Sequence, residues 1–283
     1  MFVNTVDKII PEANIICVSP HYDDFLFFLG GYVLEMKRQN LLETKRFTNI
    51  NTFSRSNYQA RDVAGNRDRS LERVKHASGI RYIEDLQCLD DLLGLRRYVY
   101  RVMGEEESLV RGMALNEGDG EMEMSFGSYD VMTPQDWDVL NRMEACLTEL
   151  ATASDTAIVL PLSMKGHIDH FIVREAGLRA LQNTEKASTK KAAFYFAEDK
   201  PYAGIMTEKE AAENDAFIAT HPLKPYTFRG HPQEMIRLAY AHYPSQVDTV
   251  YDEGILNRSQ ELKNIHQVDV DCDRIYKYEK AVT

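Results

Sequence analysis

The chain has 283 residues, 44% hydrophobic and 27% charged, enough for one large α/β domain or two small ones with a sizeable buried core. Its 33 Lys and Arg against 44 Asp and Glu leave a formal net charge of −11, which disfavours non-specific binding to nucleic acid or to an anionic membrane. No apolar run approaches membrane-spanning length, and the N-terminus lacks the basic-then-apolar pattern of a signal peptide, so a cytoplasmic protein is expected.

Asn14 to Ser19 reads as a short, fully buried strand. Gly30-Gly31 precedes a predicted helix over Tyr32 to Gln39, and Phe47 to Ser54 reads as a second strand. Arg67 to Ser78 has helical composition and a stop at Gly79. Ile83 to Leu89 is a third strand candidate, completing a β-α-β-α-β order that predicts a parallel sheet. Residues 104–130 are rich in Glu, Gly, Met and Ser and read as an irregular surface excursion. Pro134 to Ala151 returns to helical spacing, with Trp137, Leu140, Met143 and Leu147 forming a core stripe. Thr156 to Leu160 and Ala192 to Phe196 are strands flanking a helix over His167 to Leu181. Glu208 to Ala219, Gln233 to Ala241 and Ile255 to Ile265 read as helices. No repeat or linker divides the chain, so residues 1–283 are expected to form one domain with the excursion at 104–130.

Two strand ends carry chemistry. The first strand stops at Pro20 and is followed by His21, Asp23 and Asp24; the run at 157–160 stops at Pro161 and is followed by His167, Asp169 and His170. Ligands of open parallel sheets sit beyond such strand ends. Two imidazoles and one carboxylate, His21, His170 and Asp24, suit Zn²⁺ and leave a position open for water. Asp23, beside a ligand but turned elsewhere, is placed to act as a general base. Asp169 suits a carboxylate that orients an imidazole. The plainer alternatives are a hydrogen-bonded strand-end histidine for His21 and helix capping for the three aspartates. Two such clusters in one chain favour the metal site. The cysteines (Cys17, Cys88, Cys146, Cys272) form no Cys-x-x-Cys pair, which disfavours a thiolate zinc site. A G-x-G-x-x-G or G-x-x-x-x-G-K-[ST] loop is also lacking.

Pro20-His21-Tyr22-Asp23-Asp24, Gly30-Gly31 and Gly166-His167-Ile168-Asp169-His170 together resemble the signature of the LmbE/PIG-L family, zinc-dependent de-N-acetylases of N-acetylglucosamine conjugates and related amides. Arg69-Ser70-Leu71-Glu72 before Gly79, Phe194-Tyr195 with Glu198 to Ala203, and Tyr243-Pro244-Ser245-Gln246 are similar to further family elements, in consistent order over residues 14–246. The resemblance implies a Rossmann-like, mainly parallel α/β fold flanked by helices. It implies that His21, Asp24 and His170 bind Zn²⁺, with Fe²⁺ an alternative occupant. Asp23 would be the general base, His167 would stabilise the oxyanion and Asp169 would tune His167. Arg69 would contact the substrate, and residues 198–203 would line the mouth. Tyr22 stands where the family often has Pro, Phe25 where it often has Glu, and Lys165 where some members have Tyr.

The expected function is therefore metal-dependent removal of an acyl group, acetyl foremost, from an amide nitrogen of an N-acetylglucosamine-like sugar or conjugate. The expected partner is that small molecule, with no nucleic acid and no membrane span; homo-oligomerisation is left open. Two rival readings are a non-haem Fe(II) oxygenase and a non-catalytic sugar-binding relative.

Overall fold

In the computed structural model, which describes residues 1–113, 127–187, 189 and 191–279, the first apolar run is a buried strand, β1 (Asn14–Ser19), within a seven-stranded sheet. The other strands are β2 (Arg46–Asn51), β3 (Tyr98–Val102), β4 (Thr156–Pro161), β5 (Ala193–Ala197), β6 (Leu223–Arg229) and β7 (Cys272–Tyr278), in the order β3-β2-β1-β4-β5-β7-β6. The first five in that order are parallel; β7 pairs antiparallel with β5 and with β6. The helices are α1 (Asp24–Arg38), α2 (Leu71–Leu93), α3 (Pro134–Leu150), α4 (Ile168–Lys186), α5 (Glu208–Thr220), α6 (Pro232–His242) and α7 (Thr249–His266).

The two-residue period of the central strands explains the layering. Ile15 and Cys17 of β1, with Ala157 and Val159 of β4, face a core built from Phe25, Leu29 and Val33 of α1, Leu89 and Leu92 of α2, and Leu238 of α6. Their neighbours in sequence, Val18, Ile158 and Leu160, face the opposite core, with Leu140, Met143 and Leu147 of α3 and Ile172 and Ala176 of α4. Buried on both faces, these strands read as unbroken apolar runs.

Three expectations require correction. Ile83 to Leu89 is not a strand but the middle of α2, which runs through Gly79 and ends at Gly94, where φ is +96°. Its buried positions, Arg81, Glu84, Asp85, Cys88, Leu89 and Leu92, recur every three or four residues, and that helical period overrides the local strand-like composition. The third strand comes later, at β3. Gly30-Gly31 does not open a helix; α1 begins at Asp24 and carries both glycines inside it. A Cβ on Gly31 would overlap Asp273 Oδ2 of β7, so that glycine is a close-packing point. Strands β6 and β7 were not anticipated. Of the excursion at 104–130, residues 114–126 lie outside the described residues; residues 107–111 turn inward, with Glu107 and Ser108 buried.

After β1 the chain builds outward through β2 to β3, then returns to the other side of β1 to place β4. The C-terminal ends of β1 and β4 thus flank the point where strand order reverses. That is where an open α/β sheet leaves a crevice its connections cannot fill.

Candidate active site

His21, Asp23 and Asp24 leave the C-terminal end of β1, and His167, Asp169 and His170 follow β4 across the crevice. Asp24 lies in the first turn of α1, its Oδ2 accepting the backbone N–H of His21 at 2.6 Å. His167 caps α4, its Nδ1 accepting the backbone N–H of Asp169 at 3.1 Å. His170 lies one turn further on and is 1% exposed.

Three donor atoms converge. His21 Nδ1 is 3.3 Å from His170 Nε2, and Asp24 Oδ2 is 3.5 Å from each of them. The outer nitrogens are held by carboxylates. His21 Nε2 donates to Asp169 Oδ2 at 3.0 Å, and His170 Nδ1 donates to Asp199 Oδ1. With their protons on the outer side, both imidazoles turn lone pairs toward a carboxylate oxygen. Three acceptors facing one another at this distance repel unless a proton or a metal cation lies among them. Tetrahedral zinc with bonds of about 2.0–2.1 Å sets neighbouring ligand atoms about 3.3–3.4 Å apart. The donor chemistry and spacing therefore fit a small divalent ion. The imidazoles of His21, His167 and His170 also bring one nitrogen each within 4.8 Å of one another; Asp24 closes the tighter set.

Without an ion, protons occupy this set instead. Burial pushes the Asp24 carboxyl upward, as expected for a carboxylate taken out of water, and His170 offsets only part of this. Burial works against a charged His170, but Asp24 and Asp199 outweigh it and raise its pKa. Asp169 is driven well below the usual carboxylate range despite burial, chiefly by Arg111, so it is ionised and can only accept from His21. His167 is held well below the ordinary imidazole value by desolvation and then by His21. A neutral His167 whose Nδ1 accepts a backbone N–H carries its proton on Nε2.

Asp23 is 8% exposed, and its Oδ1 is 3.8 Å from Arg81 Nη2. Arg81 is locked from behind, by Gln246 Oε1 (2.7 Å), Ser56 Oγ (2.7 Å) and Glu107 Oε2 (2.9 Å). Tyr202, from the segment expected to line the mouth, stands with its ring centroid 6.3 Å from that of His170.

Some site residues were not singled out in the sequence. Asp199, placed only in the mouth, reaches beneath it, binding His170 and, through Oδ2, the backbone N–H of Met164 at 3.0 Å. Arg111 joins Asp136 Oδ1 (2.7 Å) to Asp169 Oδ1 (2.6 Å). The carboxylate of Asp169 takes His21 as its imidazole partner; its link to His167 runs through its backbone. Arg69 is exposed and lies beside Gly112, whereas the arginine built into the site is Arg81. The sequence offers a signal for this: of its three Arg-x-x-Glu runs, those at 69–72 and 81–84 each precede a glycine, Gly79 or Gly94.

No protein-family model and no curated protein matches the chain by sequence. Solved structures do match. One is a deacetylase in complex with teicoplanin, from the teicoplanin biosynthesis pathway, at TM-score 0.62 and 17% identity over 93% of this chain and 97% of that one. Another is the zinc-inhibited form of teicoplanin deacetylase Orf2, at TM-score 0.61 and 17% identity over 95% and 99%. A third is N,N'-diacetylchitobiose deacetylase from Pyrococcus horikoshii, at TM-score 0.51 and 11% identity over 95% and 85%. The chain has the fold of these deacetylases. This is the Rossmann-like α/β architecture that the LmbE/PIG-L resemblance implies, matched over nearly the whole chain. Among the described residues no helix is long and apolar enough to cross a membrane.

Proposed function

We propose that this protein is a metal-dependent N-deacylase that removes an acetyl group from an N-acetylglucosamine-like sugar or conjugate. The observation that carries the proposal is the triangle of lone pairs from His21, Asp24 and His170, with a carboxylate behind each imidazole. His21, Asp24 and His170 would hold the ion, Zn²⁺ or Fe²⁺. When bound, such an ion supplies Lewis acidity that polarises an amide carbonyl and acidifies water.

The chain's own residues supply the remainder. Asp23 accepts a proton from the attacking water as oxygen bonds to the carbonyl carbon. Arg81, 3.8 Å away, sets a positive charge beside the carboxylate of Asp23. The Nε2–H of His167 donates to the oxygen that becomes negative. Breaking the C–N bond gives acetate and an amine, which takes up the proton that Asp23 accepted from the water. Asp169 and Asp199 hold the two ligand imidazoles in the required tautomers. The neighbours' activities support this reading: one acts on N,N'-diacetylchitobiose, and one is crystallised with teicoplanin.

Elemental analysis combined with amine release tests the assignment. Asp24→Ala should lose the metal. Asp23→Asn should keep it and lose about 10²–10⁴-fold in rate, the usual cost of removing a positioned general base. Equal metal content in wild type and Asp24→Ala would refute the ligand set. Wild-type turnover by Asp23→Asn would refute the base.

A further inference from the structure

The chain leaving β3 closes a turn that points one side chain inward. The backbone N–H groups of Val110 and Arg111 both donate to the carbonyl of Glu107, at 2.9 and 3.0 Å, and the side chain of Arg111 is 1% exposed. Every nitrogen of its guanidinium is used. Nε donates to Asp136 Oδ1 at 2.7 Å, Nη2 donates to Asp169 Oδ1 at 2.6 Å, and Nη1 donates to the carbonyl of Glu106. The central carbon lies over the ring of Phe53, 4.8 Å from its centroid. That ring stands in turn 6.2 Å from the imidazole of His21.

The two oxygens of Asp169 are held unequally. Oδ2 receives two donors, His21 Nε2 and the backbone N–H of Ser108, each at 3.0 Å. Oδ1 receives Arg111 alone among the described residues. The torsion that turns a carboxylate about its Cβ–Cγ bond is broad, so donors on one oxygen do not fix its plane. The contact on the other oxygen does. Without Arg111 the carboxylate can rotate until its two oxygens share the remaining donors, and the acceptor then moves off the line of the His21 N–H. Asp136 anchors the arginine from the far side. Its Oδ2 accepts the backbone N–H and the hydroxyl of Thr133, both at 2.8 Å, at the cap of α3. A bridge that only tied the turn to α3 would need Asp136 alone; the other arm of the fork is spent on the carboxylate behind His21.

We propose that Arg111 is a positioning residue of the metal site. Acting through Asp169, it fixes the direction in which His21 presents Nδ1 and so sets how tightly the divalent ion is held. The inference rests on the His21, Asp24 and His170 site of the proposed deacylase, and it adds control of that site by a segment that contributes no ligand.

The test measures Zn²⁺ affinity, by competition against a chromophoric chelator, in wild type, Arg111→Met, Arg111→Lys, Asp169→Asn and the double variant Arg111→Met with Asp169→Asn. The melting temperature of each metal-free protein is recorded beside it. Arg111→Met should hold Zn²⁺ about tenfold more weakly, the low end of the loss usual when an outer partner of a ligand imidazole is removed. Arg111→Lys keeps a charged donor for Asp169 and should recover most of that affinity. Once Asp169 is Asn, removing Arg111 should cost no further affinity, because two residues acting along one path are not additive. A structural bridge alone predicts otherwise. A lower metal-free melting temperature with wild-type affinity in Arg111→Met overturns the proposal. So do losses that add in the double variant, or equal losses in Arg111→Met and Arg111→Lys. If Arg111→Met does not fold, Arg111→Gln takes its place in the same cycle, with a loss of about threefold expected because one neutral hydrogen bond to Asp169 is kept; wild-type affinity there overturns the proposal equally. Wild-type protein that binds no Zn²⁺ refutes the metal site and this inference with it. Zn²⁺-loaded protein that releases no amine refutes the deacetylase reading and leaves the role of Arg111 to the affinity cycle, which decides it without reference to turnover.

Discussion

At the scale of single residues, proximity in sequence determined what could be read. His21, Asp23 and Asp24, and likewise His167, Asp169 and His170, fall within four positions of one another at a strand end, so one short segment displays the chemistry. Asp199 supports His170 from the end of a different strand, β5, and only the sheet order brings the two together. Its support is testable. Asp199→Asn keeps an acceptor for the backbone N–H of Met164 but weakens the hold on His170, and should lower metal affinity about 10–100-fold. Competition against a chromophoric chelator measures this, and unchanged affinity would show that His170 needs no carboxylate. The two arginines make the same point through burial. Removing Arg81 (3% exposed) strands Glu107, so Arg81→Met should cost about 3–5 kcal/mol. Arg69→Ala, at an exposed position, should stay within about 0.5 kcal/mol. Urea unfolding of both distinguishes them, and equal losses would contradict the placement of Arg81.

At the scale of elements, periodicity succeeded where one pattern dominated and failed where two competed. The stripe of α3 and the apolar runs of β1 and β4 admit a single reading. Within α2, Ile83 and its neighbours suggest a strand and Gly79 suggests a stop, but a helix burying Arg81, Glu84, Asp85, Cys88 and Leu92 wins because all five then face inward. The glycines carry the consequence. A Cβ at Gly79 meets nothing within 4 Å, so Gly79→Ala should stabilise by about 0.5–1 kcal/mol through a lower backbone entropy cost. A Cβ at Gly31 would overlap Asp273, which holds Lys200 at 2.9 Å. Gly31→Ala should therefore destabilise by about 1–3 kcal/mol. Thermal melts of both variants check the signs, and stabilisation by Gly31→Ala would contradict the packing of α1 on β7. Strands β6, at the sheet edge, and β7, between β5 and β6, are hard to read because each interleaves charged residues with apolar ones, which blurs the alternation.

At the scale of the whole molecule, the fold explains why the two clusters meet. Only the return of the chain from β3 to β4 sets their strands side by side, and the crevice opens there. The oxygenase reading needs the same two-histidine, one-carboxylate set but leaves Asp23, backed by a buried arginine, with no task. The non-catalytic reading leaves it equally idle. The decisive measurement is amine release from an N-acetylated glucosamine conjugate by protein stripped with chelator and then reloaded with a single divalent ion. Metal-dependent deacylation predicts that stripping abolishes release and that reloading with Zn²⁺ or Fe²⁺ restores it, without oxygen consumption. Undiminished release by metal-free protein would contradict it, as would substrate turnover that consumes oxygen and frees no amine.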